Sequence, residues 1–409
     1  MQPTKTDASP SNRRLTSLDA LRGFDMFWIL GGESLFHALR TLNQSAPTQF
    51  MASQLEHAEW EGFRFYDLIF PLFVFMMGVS TVFSLDRILE NEGRAAAVKR
   101  VLRRGLLLFV LGLVYSGGFT NPWPDMRLMG VLNRIALCYT FGGLLFIFFK
   151  PRNLAAIAAA LLLGYWALLA LAPFPDVRPV LGGSAPITRE AGFKDVSQLN
   201  LTSTNLLRGS YIQGVNLTAF IDQKYLPGRK YDGTYDPEGL LSTLPAIATG
   251  LLGVFAGLLL KKRSMPEQKK AAWLLGSGIA GVALGLLWGL EFPVIKKIWT
   301  SSYVLVAGGY SALLLGTFYW IIDVKGLRSW CQPFVWIGMN PLTLYLSSNF
   351  MGGLGFEKLA RRLAGGPVKS FFDSHLARGA GDMVIAVAGV GLFFWFARFL
   401  YQRKLFLRL

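Results

Sequence analysis

Charge is scarce in this chain, acid scarcer, and cysteine and histidine almost missing. Only 16% of the 409 residues are Asp, Glu, Lys or Arg, too few to cover a soluble domain of this size. With 52% hydrophobic residues and a mean hydropathy of +0.39, the composition is that of an integral membrane protein. The 25 acids face 41 bases, for a formal net charge of +16. That excess does not point to nucleic acid, because the bases cluster between apolar runs, as in RAAAVKRVLRR (Arg94 to Arg104) and KKRSMPEQKK (Lys261 to Lys270). Such clusters mark cytoplasmic loops under the positive-inside rule. Cys138 and Cys331 both sit in or beside apolar stretches, so no disulfide framework is expected, and no CxxC pair suggests a metal. The first 14 residues are polar, and the apolar stretch after them is longer than a signal-peptide core, carries charges and lacks a small-residue cleavage site. It reads as a retained first helix.

Apolar stretches of about 20 residues predict an all-α polytopic membrane protein with ten spans, near 18–39, 66–85, 105–119, 128–149, 154–172, 241–260, 271–290, 302–323, 333–352 and 381–400. An even count puts both termini on one side, and the basic clusters make that side cytoplasmic. The chain then divides into a cytoplasmic tail (1–17), a first five-helix half (18–172), an outer-face loop domain (173–240), a second five-helix half (241–400) and a cytoplasmic tail (401–409). The outer segment holds no sustained apolar run; it caps the bundle or walls a substrate cleft. No internal repeat argues for an inverted duplication. Gly runs such as GSGIAGVALG (Gly276 to Gly285) permit close helix approach.

Ionisable residues inside spans are costly, on the order of 3 kcal/mol each at mid-membrane, and mark function or pairing. The first span holds Asp19, Arg22, Asp25 and Glu33. Read as one continuous helix, it brings Arg22 and Glu33 onto a single stripe, with Asp19 and Asp25 flanking Arg22 as a structural ion network. Glu33, beyond Gly31 and Gly32, has no local partner and is a candidate catalytic or substrate-binding group. Of the three histidines, His37 and His375 read as incidental. His57 differs: an acidic, amphipathic approach (Glu56, Glu59, Trp60, Glu61) leads to Asp67 just inside the next span, where a carboxylate needs a partner such as an imidazolium or Arg. A carboxylate orienting an imidazole is a general-base arrangement.

Other polar features have plainer readings. Asp236, Pro237 and Glu238 look like the N-cap, first-turn proline and first-turn acid of the sixth span. Arg134 lies within the fourth span; Asn340, Ser347, Ser348 and Asn349 lie within the ninth, which Pro341 breaks, so that polar groups there line a cavity. The basic cluster Lys99, Arg100, Arg103 and Arg104 serves topology and also suits a phosphate-bearing molecule arriving from the cytosol.

SLDALRG (Ser17 to Gly23), HAEWEGFRFYDLIFPLFVFMMG (His57 to Gly78), RLMGVLNRIALCY (Arg127 to Tyr139), YDPEGLLST (Tyr235 to Thr243), KKIWTSSYVL (Lys296 to Leu305) and GMN (Gly338 to Asn340) occur in this order. In these pieces the chain resembles the heparan-α-glucosaminide N-acetyltransferase-like membrane proteins, within the wider transmembrane acyltransferase group. The resemblance implies an acetyl-CoA-dependent acetyltransferase with His57 tied to acetyl transfer and Asp67 beside it. Arg103 and Arg104 would hold the CoA phosphates, with Arg403 and Lys404 as helpers and Arg134 and Asn340 as further contacts. The acceptor would be an amino sugar at a glycan end, met on the far side, with Glu33, Asp236 and Glu238 as candidate substrate contacts. Membrane lipids and a second copy of the chain are the implied partners. The chain departs from animal lysosomal members in lacking their large amino-terminal luminal domain and in carrying Gly-Gly-Glu33 where they have asparagine. It looks like a short bacterial inner-membrane member, and the acceptor stays open.

An amine attacks a thioester only when deprotonated, so a base is required; His57 fits, with Asp67 holding its tautomer. Transfer through an acetyl-histidine is an equal alternative. Two other functions remain in view: a proton-coupled transporter of sugars or glycan fragments using Asp25, Glu33, His57 and Asp67 as a relay, and an O-acyltransferase acting on a polysaccharide or lipid-linked sugar.

Overall fold

The computed structural model of the chain describes residues 15–120, 122–179, 186–350 and 355–407, apart from the side chains of 119, 349, 350, 355 and 364. Most of the 1–17 tail, with Arg13 and Arg14, and the side chain of Asn349 lie outside the described residues. The order is α1 (Thr16–Phe27), a π-turn (Trp28–Gly32), α2 (Glu33–Leu42), α3 (Ala46–Gln54), α4 (Phe65–Asn91), α5 (Gly93–Tyr115), α6 (Val131–Phe148), α7 (Pro151–Leu171) and α8 (Leu217–Tyr225). Then come α9 (Thr243–Lys261), α10 (Glu267–Gly289), α11 (Ser301–Phe318, running on through a π-turn to Val324), α12 (Gln332–Gly338), α13 (Pro341–Phe350), α14 (Gly355–His375) and α15 (Ala380–Gln402). The protein is an all-α polytopic membrane protein.

Seven of these helices, α4, α6, α7, α9, α10, α11 with its π-turn and α15, are long and apolar enough to cross a membrane. The other three expected spans take different forms. The first is split at Gly31 into α1 and α2, whose axes are offset by the π-turn. The third becomes α5, whose first half carries Arg94, Lys99, Arg100, Arg103 and Arg104. The ninth is two short helices, α12 and α13, parted at Asn340 and Pro341 because proline offers no N–H to continue the ladder. Lys358 to Ser370, expected as a loop, is helical and forms most of α14, which lies along α15.

Helices α4 and α9 form the interior, with α6 and α11 beside them; α7 and α10 present most of their surface outward. Close approach depends on glycine. At Gly78 of α4 a Cβ would overlap the carbonyl oxygen of Gly250, and at Gly253 of α9 it would overlap that of Phe75. The same lock joins α1 to α12, where Gly23 and Gly338 face the backbone of Phe334 and Asp19. The Gly276–Gly285 run serves α10 against α11 within the chain, Gly278, Gly281 and Gly285 meeting Gly309, Leu305 and Val306. Among its described residues the 173–240 segment has one two-residue antiparallel pairing, Phe174–Pro175 with Leu206–Leu207, and α8. It packs its own apolar cluster, including Phe174, Val177 and Phe220, onto Tyr165 and Leu169 of α7 and onto Phe292, Ile295 and Ile298.

Adding a methyl at the α4–α9 crossing overpacks it by about 1–3 kcal/mol. Gly253→Ala is therefore expected to lower the thermal melting temperature in detergent. Gly276→Ala, where nothing lies within 4 Å of the new Cβ, is expected to hold or raise it.

Candidate functional site

Helix α4 begins at Phe65 with Arg64 as its N-cap residue, and Asp67 at the third position turns its carboxylate back to accept the Arg64 backbone N–H at 3.0 Å. The same oxygen accepts the Ala58 N–H at 3.1 Å. The other oxygen lies 2.9 Å from His57 Nδ1. Asp67 is fully buried, so its two oxygens are directed by these fixed donors. A carboxylate accepts here, so Nδ1 donates to it, and in the neutral ring the free lone pair is then on Nε2. The His57 side chain is 52% exposed, and its ring lies against Tyr66 with centroids 4.9 Å apart.

A third group completes this centre. Lys296 Nζ sits 3.4 Å from Asp67 Oδ1, 3.0 Å from His57 Nδ1 and 3.4 Å from His57 Nε2. With Nδ1 committed to Asp67, Nε2 is the ring nitrogen left within reach of the lysine. Burial pulls the Lys296 pKa down, opposed by the nearby Asp67 carboxylate. Local backbone pairing brings the two segments together: Glu61 bridges Ile295, and Gly62 N–H donates to Val294 O at 2.9 Å. Tyr303 adds a tie from α11, its hydroxyl donating to the Asp67 carbonyl at 2.8 Å. Between them, Trp299 takes a left-handed backbone (φ 51°), with its indole N–H on Thr249 at 3.1 Å and the Arg134 guanidinium over its ring at 5.0 Å.

A cavity of about 630 Å³ opens from this centre. One end is lined by His57, Asp67, Lys296, Trp60, Tyr231 and Glu238; the other by Arg22, Ser80, Ser84, Arg104 and Leu407. From Asp67 to Ser84 along α4 is about 25 Å at 1.5 Å per residue. Asn340, at the break between α12 and α13, lines the wall with both amide atoms buried and without a hydrogen-bond partner among the described residues. Arg104 stacks on Tyr139 at 4.8 Å, and its Nε is likewise buried without a partner. These orphaned polar groups and the cationic far end suit a long ligand with a polar backbone and phosphates, as acetyl-CoA is.

At the mouth beside His57, Arg127 donates to both oxygens of Asp236 at 2.8 Å and to Glu238 at 2.7 Å, and lies over Tyr231 at 4.8 Å. Burial raises the Glu238 carboxyl, with Asp236 adding to the rise and Arg127 opposing it. Burial also pushes Asp222, which accepts the Leu240 N–H at 2.8 Å, up to about 7.

Of the residues singled out in the sequence, His57, Asp67, Glu238, Arg104 and Asn340 share the cavity, joined by Arg22. The others lie elsewhere. Arg103 faces a different side of α5, in a shallow groove with Arg94, Lys99 and Phe148. Arg134 is wholly buried, one amino group donating to the Gly239 carbonyl at 3.1 Å and to Ser242, so it fastens α6 to the segment leading into α9. Asp236 is held by Arg127 and by the Tyr231 N–H; it is not the cap of α9, which starts only at Thr243. Arg403 and Lys404 are exposed at the end of α15. Asp19 and Arg22 pair at 3.3 Å, but Asp25 stands apart, buried with neither oxygen hydrogen-bonded among the described residues. The break at Gly31 ends the expected ionic stripe: Glu33 pairs with His37 at 3.5 Å and bonds to Tyr66, whose ring lies against His57. His375 stacks on Phe371 at the surface. Lys296, Arg127 and Tyr231 were not singled out, although KKIWTSSYVL and RLMGVLNRIALCY carry the first two. Among the described residues no cluster of His, Cys, Asp and Glu is suited to a metal.

The family model described as heparan-α-glucosaminide N-acetyltransferase, catalytic, matches residues 14–181. The human heparan-α-glucosaminide N-acetyltransferase is 27% identical over 384 residues, covering 85% of this chain and 54% of that protein. The mouse protein of the same name is 26% identical over 394 residues, covering 84% of this chain and 55% of its own length. The chain thus spans about half the length of the relatives it matches. The resemblance drawn from the sequence motifs therefore stands: this chain is similar to the heparan-α-glucosaminide N-acetyltransferases, and the catalytic pattern of that family falls on the stretch that carries His57 and Asp67.

Proposed function

We propose that the protein is a membrane-embedded acetyltransferase that carries the acetyl group of cytosolic acetyl-CoA to the amine of an amino sugar, a terminal glucosamine or its like, at the outer face. The observation that carries this reading is the shared cavity, with a base at one mouth and a cationic end about 25 Å away. Cations on the cytoplasmic side fit nucleotide phosphates; acids and aromatic rings on the other side fit a sugar amine. Lys261 pairs with Asp86 at the end of α4 remote from His57, and the basic loop to Lys270 follows there. The positive-inside rule makes that end cytoplasmic, in a bacterial inner membrane with both termini inside. The five-plus-five division of helices around the outer loop domain belongs to the same proposal, as does a homodimer.

In this mechanism His57 Nε2 takes the proton of the acceptor amine as the amine attacks the thioester carbonyl, and Asp67 stabilises the imidazolium that forms. Lys296 lies close enough to oppose the charge of the tetrahedral oxygen or of the departing thiolate. Arg104, Arg22 and Asn340 bind the donor; Glu238 and Tyr231 meet the acceptor, with Glu33 behind Tyr66.

Purified protein given acetyl-CoA and a panel of amino sugars is expected to release CoA and form an amide. A base-labile ester would indicate O-acylation instead, and proton-driven sugar flux without CoA release would indicate a transporter. His57→Ala is expected to lower kcat/KM by about 10²–10⁴-fold, the usual worth of a general base. Equal CoA release by mutant and wild type, whatever the acceptor, would remove the assignment. Arg104→Ala is expected to raise KM for acetyl-CoA by about ten-fold or more with kcat nearly kept, because it removes a charge-assisted contact remote from the reacting bond.

A further inference from the structure

Lys296 places a primary amine of the protein's own beside the proposed base. Its Nζ is 3.4 Å from His57 Nε2, the atom that deprotonates the acceptor, and it lines the cavity that receives the thioester. The neighbouring Lys297, on the same wall, is drawn away to Asp232 at 3.0 Å. We propose that Lys296 is a self-acetylation site: when acetyl-CoA occupies the cavity and no acceptor amine does, Lys296 Nζ takes the acetyl group. This inference rests on the acetyltransferase reading and extends it to the fate of the donor in the absence of acceptor.

The step balances within the groups named. The Nζ lone pair adds to the thioester carbonyl carbon, the C–S bond breaks, and CoA leaves as thiolate. The proton shed by Nζ passes to His57 Nε2 and from there to the thiolate, leaving an amide on Lys296 and free CoA. The amine must be neutral to react. The titratable and charged groups facing it are His57, Asp67, Glu238 and Lys297, and burial favours the neutral amine while the carboxylates oppose it.

Acetylation here is a dead end, since an amide does not pass its acyl group to a sugar. It also removes the positive charge beside Asp67 and puts an acetyl group against the His57 ring. A protein charged with donor but starved of acceptor would thus switch itself off, a consequence distinct from the labile acetyl-histidine of a two-step transfer.

The test uses the whole protein in detergent with isotopically labelled acetyl-CoA and no acceptor, followed by hydroxylamine and site-resolved peptide mass spectrometry. Hydroxylamine strips an acetyl-imidazole and spares an acetyl-lysine. The expected result is label on Lys296 well above that on Lys297, absent in Lys296→Arg and about ten-fold or more slower in His57→Ala. Melting temperatures check that both variants are folded, and wild-type transfer to glucosamine should fall in step with the labelling. Label on Lys296 that is no faster than on Lys297, or undiminished in His57→Ala, overturns the proposal. So does an unlabelled Lys296 in protein that still releases CoA with glucosamine present, and in that case the acetyltransferase reading survives. If neither labelling nor acceptor-dependent CoA release occurs, both fail together.

Discussion

The buried carboxylate of Asp67 is the point on which the rest of the structure depends. It closes the first turn of α4 through the Arg64 N–H, fixes the preceding loop through the Ala58 N–H, orients the His57 ring and faces Lys296. Each task needs the others. A carboxylate buried at the rim of a membrane span is tolerable only with several donors, and those donors are what hold the imidazole in one tautomer. Helix start and candidate site are one arrangement of atoms, so damage to either spreads to both.

The scaffold around this point has two characters. On one side unbroken helices α4 and α9 interlock through glycines whose neighbours are backbone atoms, leaving no slack. On the other, α1 gives way to α2 at Gly31, and α12 to α13 at Asn340 and Pro341. Broken helices expose amide groups inside a bilayer only where protein or a wet cavity receives them. Asn340 stands at such a break with its amide turned to the cavity wall, so the interruption of the helix and the polarity of the cavity have the same origin.

Much of this was readable in the chain. Composition alone declares a helical membrane protein, and His57 with Asp67 is legible because both sit within ten residues, across the start of one helix. What failed to read has two causes: partners far away in sequence, and local helix geometry that a residue run does not display. Lys296 meets His57 across 239 positions of sequence through a two-residue backbone pairing, which no periodicity marks. Arg103 and Arg104 are adjacent in sequence yet face different sides of α5, as 100° per residue requires; proximity in a basic run says nothing of a shared site. Asp236 fitted the rules of a helix start, but Arg127 engages both its oxygens and α9 begins seven residues later, at Thr243. The supposed stripe from Arg22 to Glu33 assumed a continuous helix, which the Gly31–Gly32 pair does not supply.

Half of the His57 side chain is open to solvent. An imidazole able to take a proton from an amine can take one from a water molecule by the same lone pair. In the proposed reaction, slow hydrolysis of the donor would follow from this exposure, which also leaves room for the end of a glycan. Under that proposal, selectivity between sugar and water would fall to how long each lingers beside the ring, and so to the acids and rings around Tyr231.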